Sequence, residues 1–253
     1  MIDFKNLGII IPNGLGIGDK VQFCHIPENF YKNYGHKLID VNKSWIFDYN
    51  PYVDRDIKPE KNLNPWLLPY KCEADYLNRA DFFNSVFKFP QIYCRSPRLY
   101  KYEDSSNVIP NKVCIHSQGV SNNHTFSKEI IEKIKERYHK YDIYQIGGHQ
   151  DVDCRVIDSR GLSMWEMVDH IATSAIFIGV NSGPMNVANC YPHINKKIII
   201  RTNREHEVSK EDLEKASKPL QMCKSYFSWV DYGWQYYNDT EVDIGITYSY
   251  NKI

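Results

Sequence analysis

The sequence lacks the features that most quickly classify a chain: it has no run of like charge, no paired-cysteine motif and no long apolar stretch. Lys and Arg together number 31, and Asp and Glu also number 31. A chain balanced in this way generates no strong field, which argues against a nucleic-acid partner. Its 19 tyrosines could stack single-stranded bases, but no basic groove accompanies them. The seven cysteines (Cys24, Cys72, Cys94, Cys114, Cys154, Cys190 and Cys223) are odd in number and never fall into a C-x-x-C pair. This pattern speaks for free thiols in a reducing cytosol, against a disulfide framework and against a zinc site. Met1 to Lys5 opens without the apolar core of a signal peptide, and no apolar run approaches the roughly 18 residues of a membrane span. A soluble cytoplasmic protein is expected, with peripheral contact at the inner face of a membrane left open by the many Trp and Tyr residues.

What is present is an alternation of apolar runs and glycine-marked turns. The 253 residues suffice for one large α/β domain or for two of about 100 to 130 residues each. Val113 to Ser117 reads as a strand, and Ser127 to Tyr141 as a helix with Ile130, Ile131, Ile134 and Tyr138 on one face. Asp142 to Ile146 reads as the next strand, stopped by Gly147-Gly148. Ser163-Met164-Trp165-Glu166 is a capping-box sequence, and Met167, Val168, Ile171 and Ala172 continue it as an apolar helix face. Ala175 to Val180, a helix from Gly183 and a strand over Lys197 to Arg201 complete a βα alternation, which implies a parallel sheet with right-handed crossovers.

The first half opens in the same way, with a strand over Leu7 to Pro12, a glycine-rich turn from Asn13 to Asp19, and a helical pattern over Lys20 to Tyr34 broken near Pro27. His36 to Val41 is a second strand. Trp45 to Pro69 dissolves into Pro, Asn, Asp and aromatics and reads as a long irregular insert. Asp81 to Phe87 reads as a helix and Gln91 to Cys94 as a strand. The polar stretch Glu103 to Lys112 is the best linker, giving domains over 1–107 and 108–220 and an aromatic C-terminal segment over 221–253. That segment, Tyr226 to Tyr237, reads as packing across the two domains.

Two places carry chemistry. Ile178 to Asn186 runs from a strand through Asn181-Ser182-Gly183-Pro184-Met185 into a short helix. Ser182 is a natural N-cap, Gly183 permits close backbone approach, and Pro184 needs no N–H partner in a first turn. The unpaired N–H groups and the dipole's positive end favour an anion, phosphate above all; an ordinary strand-turn-helix junction is the competing reading. The N-terminal turn carries Gly14, Gly16 and Gly18, but the sixth place of the dinucleotide fingerprint is Asp19. A carboxylate there disfavours a pyrophosphate, so an NAD-type site is not expected. Asp19 is placed instead as a general base, the alternative being simple stabilisation of the helix start. Ser117 and Gln118 follow the strand at Val113 and could donate to a phosphate or simply make a turn; His149, Gln150 and Asp151, after Gly147-Gly148, could reach a nucleotide's base or ribose or form a plain polar loop.

The order Gly18-Asp19, Gly147-Gly148, Gly161-Leu162-Ser163 and Ile178 to Ala188 resembles the glycosyltransferase family 9 heptosyltransferases across most of residues 7 to 200. The resemblance implies a GT-B fold of two Rossmann-like domains with parallel sheets facing a cleft, acceptor on the first and nucleotide sugar on the second. It implies inverting sugar transfer without a metal or other cofactor, in the synthesis of lipopolysaccharide or a related cell-surface polysaccharide. Asp19 then resembles the base that deprotonates the acceptor hydroxyl, with Gly16 and Gly18 on the acceptor side. Ser182, Gly183, Pro184 and Met185 resemble the segment whose backbone binds the diphosphate. Asn181 stands where the family usually has Asp, Asn186 where it often has His, and His124-Thr125-Phe126-Ser127 where it has Lys-x-Trp-Pro. His124 therefore replaces a phosphate-contacting lysine with a pH-dependent cation. The expected partners are a nucleotide sugar, ADP- or GDP-heptose by resemblance, and a glycan or glycolipid acceptor. Two other readings are a nucleotide-sugar epimerase of the same fold and a catalytically degenerate subunit that binds nucleotide or glycan.

Overall fold

The computed structural model describes residues 5–68, 79–94, 97–102, 105–119, 125–180, 182–200, 235–238 and 248–249, with backbone alone for 79–81, 195–200, 235–238 and 248–249. His124, Asn181, Cys72, Cys223 and residues 226–234 of the aromatic segment lie outside these. The chain forms two compact units.

The first unit contains a parallel sheet ordered β3-β2-β1-β4, built from β1 (Leu7–Ile9), β2 (Leu38–Asp40), β3 (Val53–Asp54) and β4 (Lys61–Leu63). Helices α1 (Ile17–Val21), α2 (Ile26–Tyr34) and α3 (Arg79–Phe87) accompany it. The break expected near Pro27 is real but falls earlier, over Gln22 to His25; Pro27 lies in the first turn of α2, where its missing N–H costs nothing. Gly35, at φ 72°, ends that helix by donating to the Tyr31 carbonyl at 2.8 Å. The core gathers on Phe23, whose ring meets those of Phe47, Trp66, Phe83 and Phe87 at 5.0 to 6.3 Å.

Two expectations are corrected here. Trp45 to Pro69 is not simply an irregular insert: it supplies β3 and β4, one on each side of the β2-β1 pair. Strands of two and three residues are too short to show a period of two in sequence. Conversely, Gln91 to Cys94 forms no strand. Its backbone is held by side chains of α2. The Asn29 amide oxygen accepts from Tyr93 N and Cys94 N at 2.9 and 2.8 Å, and its Nδ2 donates to the Cys94 carbonyl at 2.6 Å. One turn later, Asn33 exchanges both bonds with the Gln91 backbone. Two asparagines on a helix thus do the work of a neighbouring strand.

Among the described residues the second unit contains a seven-stranded sheet ordered β11-β10-β9-β8-β5-β6-β7. The strands are β5 (Ile109–His116), β6 (Asp142–Gly147), β7 (Ile157–Arg160), β8 (Ser174–Gly179), β9 (Asn195–Ile200), β10 (Gln235–Asn238) and β11 (Tyr248–Ser249). All pairings are parallel except β10 with β11, which is antiparallel and departs from the expected all-parallel pattern. Between the strands lie α4 (Lys128–Arg137), α5 (Met164–Ala172) and α6 (Gly183–Asn189). The Ser127 hydroxyl caps α4 by accepting from Ile130 N, and Glu166 accepts from Ser163 N at 2.9 Å in the expected capping box. Strand β5 begins at Ile109, so the polar stretch read as linker through Lys112 is partly strand. Its first residues are exposed and a register shift separates Ile109 from Val113. Strand β7 was not expected: Ile157, Asp158, Ser159 and Arg160 lack an apolar pattern because the strand forms the sheet's edge.

Replacing Asn29 with Leu should strand the Tyr93 and Cys94 N–H groups and cost about 2 to 4 kcal/mol, whereas Asn33→Ala, with more exposed partners, should cost about 1 kcal/mol or less. Urea denaturation of the two variants checks the ranking.

Candidate functional site

In each unit the sheet is wound outward in two directions from one strand. In the second, the chain runs from β5 to β6 and β7, then crosses to β8 on the other side of β5 and continues to β9 and β10. The connections leaving β5 and β8 therefore part at their carboxyl ends, the position at which open α/β sheets bind ligands. In the first unit the same reversal lies between β1 and β4.

The junction after β8 is the expected one: α6 begins at Gly183, with Pro184 in its first turn and Ser182 at the N-cap position. The Ser182 side chain, however, makes no capping bond. Its Oγ lies 2.8 Å from His116 Nδ1 and 3.1 Å from the Val180 carbonyl, so the hydroxyl is turned toward the end of β5. The reason is the imidazole beside it, which competes with the helix for that hydroxyl. Among the described residues, Ser182 thus supplies no side-chain cap to the first turn of α6. Met185 is fully buried, which leaves only its backbone for a ligand. The Asn186 Nδ2 donates to the Ser182 carbonyl at 3.1 Å, and its buried Oδ1 has no hydrogen-bond partner among the described residues.

The other strand ends supply a connected polar cluster. His116 closes β5 and is 5% exposed; burial holds its pKa down at about 4, so the ring is neutral. Its Nε2 faces Asp151 Oδ2 at 3.7 Å. The same Asp151 oxygen accepts from Gly148 N at 3.0 Å; burial pushes the carboxyl pKa up, against that bond and the charge of Arg160. Arg160, on β7, donates to the Asp151 carbonyl at 2.7 Å. Ser117 is fully buried, and its hydroxyl is engaged with Gln145 and the Val152 carbonyl in the unit's interior. Gln118 Oε1 accepts from Val152 N at 3.1 Å, and Gln150 is exposed beside Gly148. Sequence reasoning passed over His116 and Arg160. The first was legible as the polar end of an apolar strand, directly before Ser117-Gln118; the second sits on the strand that was not foreseen.

In the first unit Asp19 lies in the first turn of α1, with Gly16 at the N-cap and Gly18 within the helix. Asp19 is half-buried, and neither glycine takes a positive φ. Lys20 Nζ donates to the Asn13 carbonyl at 3.1 Å and closes the turn. Among the described residues no group of His, Cys, Asp or Glu is arranged to hold a metal, and no helix is long and apolar enough to cross a membrane.

Gly147 is the backbone hinge of the cluster: its φ is +131°, and a Cβ there would lie 2.1 Å from Asp151 Oδ2. Gly147→Ala should lower stability by about 2 kcal/mol or more through backbone strain and displacement of Asp151, read as a fall in urea midpoint.

No protein-family model and no curated protein sequence matches the chain. Solved structures do. The chain is similar to a glycosyl transferase family 9 protein from Veillonella parvula, at TM-score 0.59 and 11% identity, covering 85% of this chain and 88% of that one. It is similar to the iron-containing dodecameric heptosyltransferase TibC of enterotoxigenic E. coli in complex with ADP-D-beta-D-heptose. There the TM-score is 0.59 and the identity 19%, over 79% of this chain and 59% of that one. It is also similar to E. coli ADP-heptose lps heptosyltransferase II, at TM-score 0.52 and 11% identity, over 78% of this chain and 84% of that one. At these identities the likeness is one of fold, and the chain has the α/β fold of the family 9 glycosyltransferase structures, the GT-B type that the sequence resemblance implied.

Proposed function

We propose that this protein is a glycosyltransferase that moves a sugar from a nucleoside-diphosphate donor to a glycan hydroxyl, with inversion and without a metal ion. The observation that carries the reading is the junction at the second unit's switch point, where α6 starts without a side-chain cap beside a cluster of buried polar groups. Unsatisfied N–H groups at such a position favour an anion, and a protein of similar fold has been captured with ADP-D-beta-D-heptose.

In this reading the backbone of Ser182, Gly183 and Met185 holds the diphosphate, Pro184 shapes the turn, and Asn186 faces the donor. Gln118, Gly148 and Gln150 contribute toward the nucleoside, with His124 and Asn181 adding contacts to phosphate and sugar. Asp19 takes the proton of the acceptor hydroxyl. The acceptor oxygen forms its bond to the anomeric carbon from the face opposite the phosphate, and the carbon–oxygen bond to the diphosphate breaks with its electron pair. Fixed N–H dipoles offset the charge on the departing diphosphate, a task that a divalent ion performs in other enzymes. Heptose is the proposed sugar and ADP the proposed nucleotide. A glycolipid acceptor in cell-surface polysaccharide or lipopolysaccharide synthesis would place the reaction at the cytoplasmic face of the membrane.

In a thermal-shift panel of millimolar ADP, GDP, UDP and CMP without metal, one nucleotide should raise Tm selectively, since a ligand at about 100 times its Kd adds about 2.7 kcal/mol. No shift with any of the four would remove the donor site. With the nucleotide chosen, Asp19→Ala should lower kcat by about 100- to 10,000-fold and leave nucleotide affinity within about twofold. Undiminished transfer in that variant would exclude Asp19 as the base.

A further inference from the structure

In the second unit the ends of β6 and β7 lie beside the gap between β5 and β8, at the carboxyl edge where open α/β sheets receive their ligands. Two glycines turn there with positive φ, Gly147 at 131° and Gly161 at 74°. The Gly161 N–H donates to the Gly147 carbonyl at 2.7 Å and ties the two strand ends together. Arg160 stiffens the same edge, bidentate on Asp158 at 2.8 and 2.9 Å and bound to the Asp151 carbonyl at 2.7 Å. The loop after β6 closes as a turn, Asp151 N donating to the Gly148 carbonyl at 3.0 Å, with His149 and Gln150 at its tip. Its side chains then part: Asp151 turns inward to the Gly148 N–H, whereas His149 and Gln150 are exposed.

Neither exposed side chain extends into solvent. The His149 imidazole occupies the place that a Cβ on Gly161 would take; Nε2, Cε1 and Cδ2 all crowd that point, so a face of the ring is turned to the Gly161 backbone and the other to solvent. The Gln150 amide crosses Gly148 in the same way. Its Nε2, Oε1 and Cδ would lie 2.6, 2.7 and 2.8 Å from a Cβ there, near-equal distances that turn the amide's face to the backbone. Among the described residues neither side chain makes a hydrogen bond. Two planar groups thus lie on glycine backbone with their polar edges unspent, a surface suited to a planar ligand. Any side chain at Gly161 would displace the imidazole and strain a left-handed backbone.

We propose that His149 and Gln150 form the seat of the donor's nucleobase: the base stacks on the open face of the imidazole, and the Gln150 amide binds its edge. This rests on the donor site proposed above, although the two glycine seats belong to β6 and β7 and owe nothing to the start of α6. Every base has a π face, so stacking on His149 supplies affinity without regard to which base is bound. An amide presents one donating and one accepting end, and base edges differ in that pattern, so Gln150 supplies the choice among bases.

The test is calorimetric titration with ADP, GDP, UDP and inorganic pyrophosphate, the last reporting phosphate contacts in the absence of a base. His149→Ala should raise the Kd of the preferred nucleotide about tenfold and leave that of pyrophosphate within about twofold. His149→Phe, which keeps a planar ring over Gly161, should recover most of that loss. Gln150→Ala should narrow the spread of Kd among the three nucleotides. Both residues are exposed, so Tm should stay within about 2 °C of the wild type in all three variants. Unchanged nucleotide affinity in His149→Ala, or an equal loss for nucleotide and pyrophosphate, overturns the inference and leaves the donor site standing. Failure of phenylalanine to recover what alanine loses overturns stacking, and a wild type that binds the three nucleotides alike overturns the role of Gln150. Failure of the wild type to bind any of the three removes the donor site and the inference together.

Discussion

A parallel sheet wound outward in both directions from one strand must leave a gap where the two windings part, and this constraint organises the second unit. Once β5 leads to β6 on one side and the chain crosses to β8 on the other, the loops leaving β5 and β8 run to opposite faces. The strand ends between them cannot be covered by their own connections. Polar groups that would be costly in a core gather there because the gap gives them one another. Asp151 takes the Gly148 N–H, His116 lies between Asp151 and Ser182, and Asn186 binds back to the Ser182 carbonyl. The left-handed backbone at Gly147 is the local condition for this arrangement, since any side chain there would occupy the place of the Asp151 carboxylate.

Both units use amide side chains to hold backbone that no strand reaches. In the second, Gln145 on β6 accepts from Cys154 N at 2.8 Å and donates to the Val152 carbonyl at 2.6 Å, fixing the loop that presents Asp151. In the first, Asn29 and Asn33 hold the segment after α3. Asn42 accepts from Ile11 N at 3.0 Å and also donates to the Ile11 carbonyl, extending β1 toward the turn that carries Asp19. An amide can donate and accept on one planar head, so it stands in for a peptide group. These amides help to fix the loops that approach the proposed chemistry, alongside the burial of Ile11 and Cys154.

These devices also explain what was legible in the sequence. Helices α4 and α5 were readable because their apolar period and Ser-led starts are local. The junction at Ser182-Gly183-Pro184 was readable for the same reason. Strands β3, β4 and β7 were not, being short or at an edge. Gln91 to Cys94 looked like a strand because its residues suit one, yet the groups that satisfy its backbone lie on α2, about 60 residues earlier in the chain. The turning of the Ser182 hydroxyl away from α6 was hidden in the same manner, since His116 is 66 positions away. Local chemistry is written locally, whereas the partner of a side chain belongs to the fold.

The hold of Asn29 on Cys94 has a consequence for the order in which the first unit is completed on the ribosome. All four strands of its sheet come from the first 63 residues, so their pairing needs nothing synthesised later. Asn29, buried on α2 beside that sheet, finds its peptide partners only when Tyr93 and Cys94 have left the exit tunnel. Until then Nδ2 of that amide can reach Asn84 Oδ1, 3.1 Å away in the finished fold, while its Oδ1 has only water, a cost that weakens the docking of α2. Emergence of the segment at Gln91 to Cys94 is thus the event that seats the helix, and vectorial synthesis places it after sheet formation and before the second unit exists.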